Sequence, residues 1–271
     1  MAEPDADPFD RALRRRRHTT TRLDDADFLH AAMAEEVRGR VAGVARDFAV
    51  VLDLGGPAPV WPGAVRVAPA LPAAVVADED RLPFADAAFD LVIAVGGLAS
   101  VSDLPGALTQ IRRVLRPDGF FAAAFVGGMT LAELRADILA AEVALTGRAA
   151  ARTAPMVEAQ AAAGLLQRAG FAMPVADVER LTVRYGGLGG LLADLTAMGA
   201  RSVLRHRAPL RRDVLADAAM RFAARADADG KTAVSVDVLY LAGWAPGPGQ
   251  PVPLQPGSGK TSLATALGSR I

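Results

Sequence analysis

The stretch that most constrains the fold is Phe48-Ala-Val-Val-Leu-Asp-Leu-Gly55-Gly-Pro-Ala-Pro-Val-Trp61, an apolar run that stops at an acid and two glycines. Its apolar residues do not alternate with polar ones, which reads as a parallel strand covered on both faces. An acid followed by glycine at the end of the first strand of an α/β sheet is also where such sheets hold nucleotide-like ligands.

Later segments extend this pattern. Ala64–Ala68 and Ala74–Asp78 read as the second and third strands, Phe89–Val95 as a fully covered fourth and Phe120–Val126 as a fifth. Between the last two, Asp103 caps a helix to Leu115 with Pro105 in its first turn and one apolar stripe through Leu104, Leu108, Ile111 and Leu115. Arg116-Pro-Asp-Gly119 has the residues of a tight type I turn. Thr130 and Glu133 form a capping-box pattern for the next helix, which Gly147 ends. Helices follow over Met156–Ala169, Leu188–Met198 and Arg211–Arg225, and alternation predicts strands around Leu181–Tyr185 and Val234–Tyr240. The expected fold is α/β: a doubly wound, mainly parallel, Rossmann-like sheet with an antiparallel C-terminal strand pair. An N-terminal helical extension (1–45) precedes the main domain (46–245), and a Pro/Gly-rich tail (246–271) is expected to be mobile. In the extension, Asp27–Val37 reads as an amphipathic helix, a lid or brace on the domain.

Composition narrows the function classes. Hydrophobic residues at 52% and charged residues at 22% describe a globular chain. A formal net charge of zero gives no global attraction to nucleic acid. The absence of cysteine excludes disulfides and thiolate metal sites. No run approaches the ~18 apolar residues of a membrane span, and no apolar signal core follows the acidic start, so the expected location is cytoplasmic. Arg11 and Arg14–Arg17 form a basic run that is either a contact for phosphate, anionic lipid or an acidic partner, or a solvated helix face; the solvated face is the preferred reading. Other candidates lack support. Pro256–Thr261 resembles a phosphate loop but has Leu254 where the first glycine belongs; His18, His30 and His206 lack metal-ligand spacing. Ser100 and Ser102 lack a nucleophile elbow, and Gly186–Gly190 reads as a flexible hinge.

Five motifs then appear in a telling order: Val51-Leu-Asp-Leu-Gly55, Ala77-Asp-Glu-Asp-Arg-Leu-Pro-Phe84, Phe89-Asp-Leu-Val92, Ser102-Asp-Leu-Pro105 and Ile111–Gly119. Together they resemble the class I S-adenosylmethionine-dependent methyltransferases (type 11 domain). The resemblance is closest to the group containing the malonyl-carrier-protein methyltransferases of biotin synthesis and the mitochondrial complex I assembly factors. Phe9-Asp-Arg11, Asp27-Phe-Leu29, Phe125–Leu131, Gly164–Phe171 and Leu239–Trp244 resemble the assembly-factor branch, carrying the likeness over about residues 9–245. It implies that Asp53, Gly55 and Gly56 lie at the methionine part of S-adenosylmethionine. Asp78, Glu79 and Leu82 would lie at its adenine, with Gly96 and Gly97 where methyl donor and substrate meet. The sequence itself provides no metal site and no obvious catalytic base, and the catalytic residues stay unassigned.

The sequence departs from the family pattern at three places. Pro57 and Pro59 stand where the D-x-G-x-G-x-G turn has its later glycines, and each fixes φ and lacks an N–H. Too little chain lies between Gly55 and Val65 for the usual first helix, and Ala68-Pro69-Ala70 replaces the acid that takes the ribose hydroxyls. The expectation is weak or absent affinity for S-adenosylmethionine. Two functional readings follow. One is a methyltransferase-family protein acting on a protein or in respiratory complex I assembly, with a complex subunit as partner. The other is a pseudoenzyme that keeps the fold to bind such a partner. Arginine hydroxylation, ascribed to the assembly-factor branch, is a further alternative.

Overall fold

A computed structural model describes residues 7–23, 26–248, 250 and 258. Most of the predicted tail and its Pro256–Thr261 motif lie outside the described residues, as does most of the Met1–Pro8 end. The parallel strands are β1 (Val51–Leu54), β2 (Val65–Ala68), β3 (Val75–Val76), β4 (Phe89–Val95) and β5 (Leu115–Gly127), and β6 (Ala172–Tyr185) and β7 (Thr232–Trp244) complete the sheet. The order is β3-β2-β1-β4-β5-β7-β6. The β5–β7 and β6–β7 pairs are antiparallel and the others parallel. The mainly parallel sheet with an antiparallel C-terminal pair is therefore as the sequence predicts.

The central strands serve two cores because successive side chains point to opposite faces. Val92, Ala94, Phe121, Ala123 and Phe125 pack with Ala107, Leu108 and Ile111 of α3 (Leu104–Val114) and with Leu166 of α5 (Ala159–Arg168). Leu91, Ile93, Val95, Phe120 and Ala122 pack on the other face against Met33, Val37 and Val41 of α2 (Phe28–Ala42). This accounts for the continuous apolar runs, since neither face meets water. The brace expected from Asp27–Val37 is α2, one turn longer than predicted; Asp27 precedes it without a side-chain cap.

Some local expectations hold and others fail. Asp103 caps α3 by accepting from the Gly106 amide at 2.8 Å, and Gly147 ends α4 (Ala132–Thr146) in the left-handed region at φ 66°. Arg116–Gly119 is not a free tight turn: it lies within β5, where the pairing jumps from Phe89–Leu115 to Leu91–Phe120. Gly186–Gly190 is not a hinge either, because Leu188–Ala197 is helical (α6) and takes up Gly189 and Gly190. The capping box does not form. Thr130 Oγ1 instead donates to the Gly127 or Asp237 carbonyl and accepts from the Asp237 amide at 2.9 Å, while Glu133 accepts from the Ser235 hydroxyl at 2.7 Å. Both side chains turn from their own helix to β7 because the strand leaves buried donors there that need acceptors. The remaining helices are α7 (Arg212–Ala224) and α1 (Arg11–Thr19).

Thr130→Val removes the acceptor for the buried Asp237 amide. It is expected to lower unfolding free energy by about 1–3 kcal/mol, with Thr130→Ser close to wild type. Denaturant melts showing equal stability for Thr130→Val and wild type would contradict this assignment.

Candidate functional site

Strand order reverses between β1 and β4, so the crevice beyond their C-terminal ends is the topological switch point where this architecture places ligands. Gly55, Gly56, Gly96 and Gly97 converge there. Gly55 has φ 77°, and a Cβ on it would lie 2.2 Å from Glu79 Oε1; a Cβ on Gly97 would lie 2.7 Å from the Gly55 carbonyl carbon. The glycines thus form a floor, and the Glu79 carboxylate lies on it, wholly buried.

The other side of the crevice is filled by α1. Its N-cap Asp10 accepts from the Leu13 amide, and Phe9 and Leu13 pack against Val203 and Leu204. That anchoring turns the arginine face inward. Arg14 is 8% exposed; its Nη1 and Nη2 donate to the two Glu79 oxygens at 2.7 and 2.6 Å. Nη2 also donates to the Gly97 carbonyl at 3.1 Å and Nε to Ser100 Oγ at 2.9 Å. Arg11 forms a fork on Asp80 at 2.9 and 2.5 Å and reaches Asp78 at 3.1 Å, and Arg15 donates to Asp78 at 2.8 Å. Burial works against the Arg14 cation, but the Glu79 and Asp78 charges more than offset it and hold its pKa above the usual value. The solvated helix face expected from sequence is thereby corrected: Arg15 stays half exposed, but Arg11 and Arg14 face the domain's own acids.

Asp53 also turns inward to the protein. Its Oδ2 accepts from the Val60 amide at 2.6 Å and from the Trp61 amide at 3.4 Å, closing the Pro57–Pro59 loop from within. Burial raises its pKa, with Arg66 3.5 Å away opposing the rise. The Gly56 carbonyl accepts from Arg66 at 2.5 Å and faces His18 Nε2 at 3.1 Å. Gly96, at φ 81°, packs on Pro57, and a Cβ there would come within 3.2 Å of the ring. Leu82 lies in the core under α3, and its carbonyl accepts from Arg113 at 3.0 Å. No helix occupies Gly55–Val65.

Of the predicted positions, Asp53, Gly55, Gly56, Asp78, Glu79, Gly96 and Gly97 thus share one region, while Leu82 belongs to the core beside it. Sequence reasoning gave Arg66 and Asp80 no role, and although it named Arg11, Arg14, Arg15 and Ser100 it did not place them at this crevice. The signal available was complementary: a run of arginines at 14–17 and a run of acids at 78–80. Among the described residues, no group of three or more His, Asp or Glu is placed to hold a metal ion, and no helix is long and apolar enough to cross a membrane. An open depression of about 470 Å³ lined by Arg46, Asp118 and Trp244 lies at the opposite end of the strands.

His30, on α2 close to Gly96, is buried, and its Nε2 has no hydrogen-bond partner. Burial, reinforced by Arg66 and Arg38, pushes its pKa from 6.5 to about 4. The unfolded chain then takes up a proton that the native chain refuses, so stability falls as pH drops from about 6.5 to about 4 and is unaffected above that window. Relative to His30→Gln, wild type is expected to lose roughly 3 kcal/mol across it; an imidazole that titrates near 6.5 by NMR would contradict the prediction.

The fold agrees with comparisons to known proteins. A family model described as "Methyltransferase domain" matches residues 60–123. The chain is 34% identical to the mitochondrial arginine-hydroxylase NDUFAF5 of Danio rerio, covering 94% of this chain and 88% of that one. It is also 34% identical to a malonyl-[acyl-carrier protein] O-methyltransferase of Methylovorus, over 64% of this chain and 57% of the relative. Among solved structures, the YcgJ protein of Bacillus subtilis superposes with a TM-score of 0.52 at 15% identity, covering 78% of this chain and 99% of that one, a likeness of fold alone. The chain is a methyltransferase-fold protein and belongs to the family of the NDUFAF5 arginine-hydroxylases.

Proposed function

We propose that this protein acts in respiratory complex I assembly, engaging a protein subunit of that complex from the cytoplasm, and that docked α1 keeps S-adenosylmethionine out of the crevice. The observation that carries the second part is the Arg14–Glu79 pair. It fills the floor formed by Gly55 and Gly97, where the family resemblance puts the methionine part of the cofactor. Asp78, the expected partner of the adenine amine, is engaged by Arg11 and Arg15, and Asp53 by the amides of its own loop. Asp53 Oδ1 has no hydrogen-bond partner, but with Glu79 and Asp78 held by arginines of α1 the docked crevice does not fit that cofactor. We derive no methyl transfer through it.

Support for the first part comes from the extent of the relationship, which runs over 94% of the chain and so reaches well beyond the central parallel strands. A protein that keeps these outer elements while its crevice is closed is suited to recognising a partner by its surface.

Deleting the encoding gene in the native host is expected to deplete assembled complex I on native gels and its NADH-oxidising activity in membranes. Re-expression of the full chain should restore both. Normal complex I levels in the deletion strain would overturn the assembly reading.

A further inference from the structure

Residues 195–212 carry five arginines and no acid, in a chain whose formal net charge is zero. This segment lies alongside α1. The Asp10 amide donates to the Val203 carbonyl and the Arg22 amide to the Ala197 carbonyl, both at 2.8 Å, and a Cβ on Gly199 would lie 3.3 Å from the Arg17 carbonyl oxygen. The contact brings the basic end of α1, Arg16 and Arg17, up to Arg201 and Arg207.

Like charges gathered in this way repel. Among the described residues, the ion pairs of this region go to Arg11, Arg14, Arg15 and Arg205, and none reaches Arg16, Arg17, Arg201 or Arg207. Arg17 is the half-buried member, and its Nη1 is out of reach of water and has no hydrogen-bond partner. Burial, followed by the neighbouring Arg207, Arg201 and Arg16 charges, draws its pKa below the usual value. A buried donor without an acceptor is costly, and an anion at this point removes that cost and the repulsion together. Beside Arg207 lies an open depression of about 370 Å³, lined also by Ala150, Ala151, His206 and Ala208. Small-ligand sites are concave and mainly apolar, with a few convergent polar groups; the alanines and the arginines supply these two parts. The number of cations decides the class of anion. A carboxylate carries one charge and is matched by one guanidinium fork, whereas a phosphate monoester carries about 1.5–2 negative charges at pH 7 and presents three acceptor oxygens to several forks at once.

We propose that Arg17, Arg201 and Arg207 form a binding site for the phosphate group of a small phosphomonoester, whose organic part rests in the alanine-lined depression. The site belongs to the contact of α1 with residues 197–207, not to the glycine floor at Gly55 and Gly97, and it stands independently of the assembly reading. A bound phosphate would bridge α1 to this segment and so hold the helix in its docked position.

The test is calorimetric titration of the full chain with inorganic phosphate and with glycerol 3-phosphate at constant ionic strength. Saturable binding is expected, tighter for glycerol 3-phosphate because it also enters the depression, and not displaced by an equal concentration of acetate. Arg17→Ala, Arg201→Ala and Arg207→Ala are each expected to weaken it roughly tenfold. Arg116→Ala, which removes the same charge near the start of β5, should leave it unchanged. Arg201 and Arg207 are exposed, so their variants report on the site even if Arg17→Ala fails to fold. Absence of saturable binding, equal displacement by acetate, or an equal loss in Arg116→Ala would overturn the proposal. Binding confined to phosphatidylglycerol vesicles, with no heat from either soluble phosphate, would overturn it as well by assigning these arginines to a lipid surface.

Discussion

The arrangement of this protein's crevice depends on one interaction, the buried pairing of Arg14 with Glu79. Removing either partner would strand a charge away from water, at a cost of about 3–5 kcal/mol in comparable buried pairs. The pair is possible because two backbone features coincide. Glycine at 55 and 97 leaves room for the carboxylate, and the Phe9–Leu13 anchor on Val203 and Leu204 sets the rotation of α1. Neither feature alone would place a guanidinium at the switch point of the sheet.

The neighbouring departures from the family pattern become intelligible together. Pro57 and Pro59 stiffen the loop after β1, and Asp53 closes that loop by accepting the Val60 and Trp61 amides. The loop's carbonyl at Gly56 turns to Arg66 and His18. Glu79, Asp78, Asp53 Oδ2 and the Gly56 carbonyl are thus engaged by groups of the chain itself, with α1 lying over the crevice, while Asp53 Oδ1 has no hydrogen-bond partner.

Much of the fold was legible because it depends on local rules. β4 is a seven-residue apolar strand covered on both faces, and its ends match the prediction. α3 was readable from Asp103, Pro105 and its stripe, all of which act within one helix turn of each other or along one face. What failed was decided at long range. Thr130 and Glu133 have the spacing of a capping box, yet they serve buried groups of β7 more than a hundred positions away. The basic run at 14–17 looked like a solvated face because its partners, Asp78 to Asp80, lie more than sixty residues further along. At the site, the sequence identified the acids and glycines by resemblance but not the arginines that occupy them. Charge complementarity between two distant runs was the one available clue.

The central claim is that α1 fills the crevice in the native chain. A crystal structure of the full protein grown with excess S-adenosylhomocysteine tests it most directly. The account predicts Arg14 on Glu79 and Arg11 on Asp78 and Asp80, with no ligand between Gly55 and Gly97. Density for S-adenosylhomocysteine on that floor, with α1 still docked and Asp78 bonded to the adenine, would contradict it.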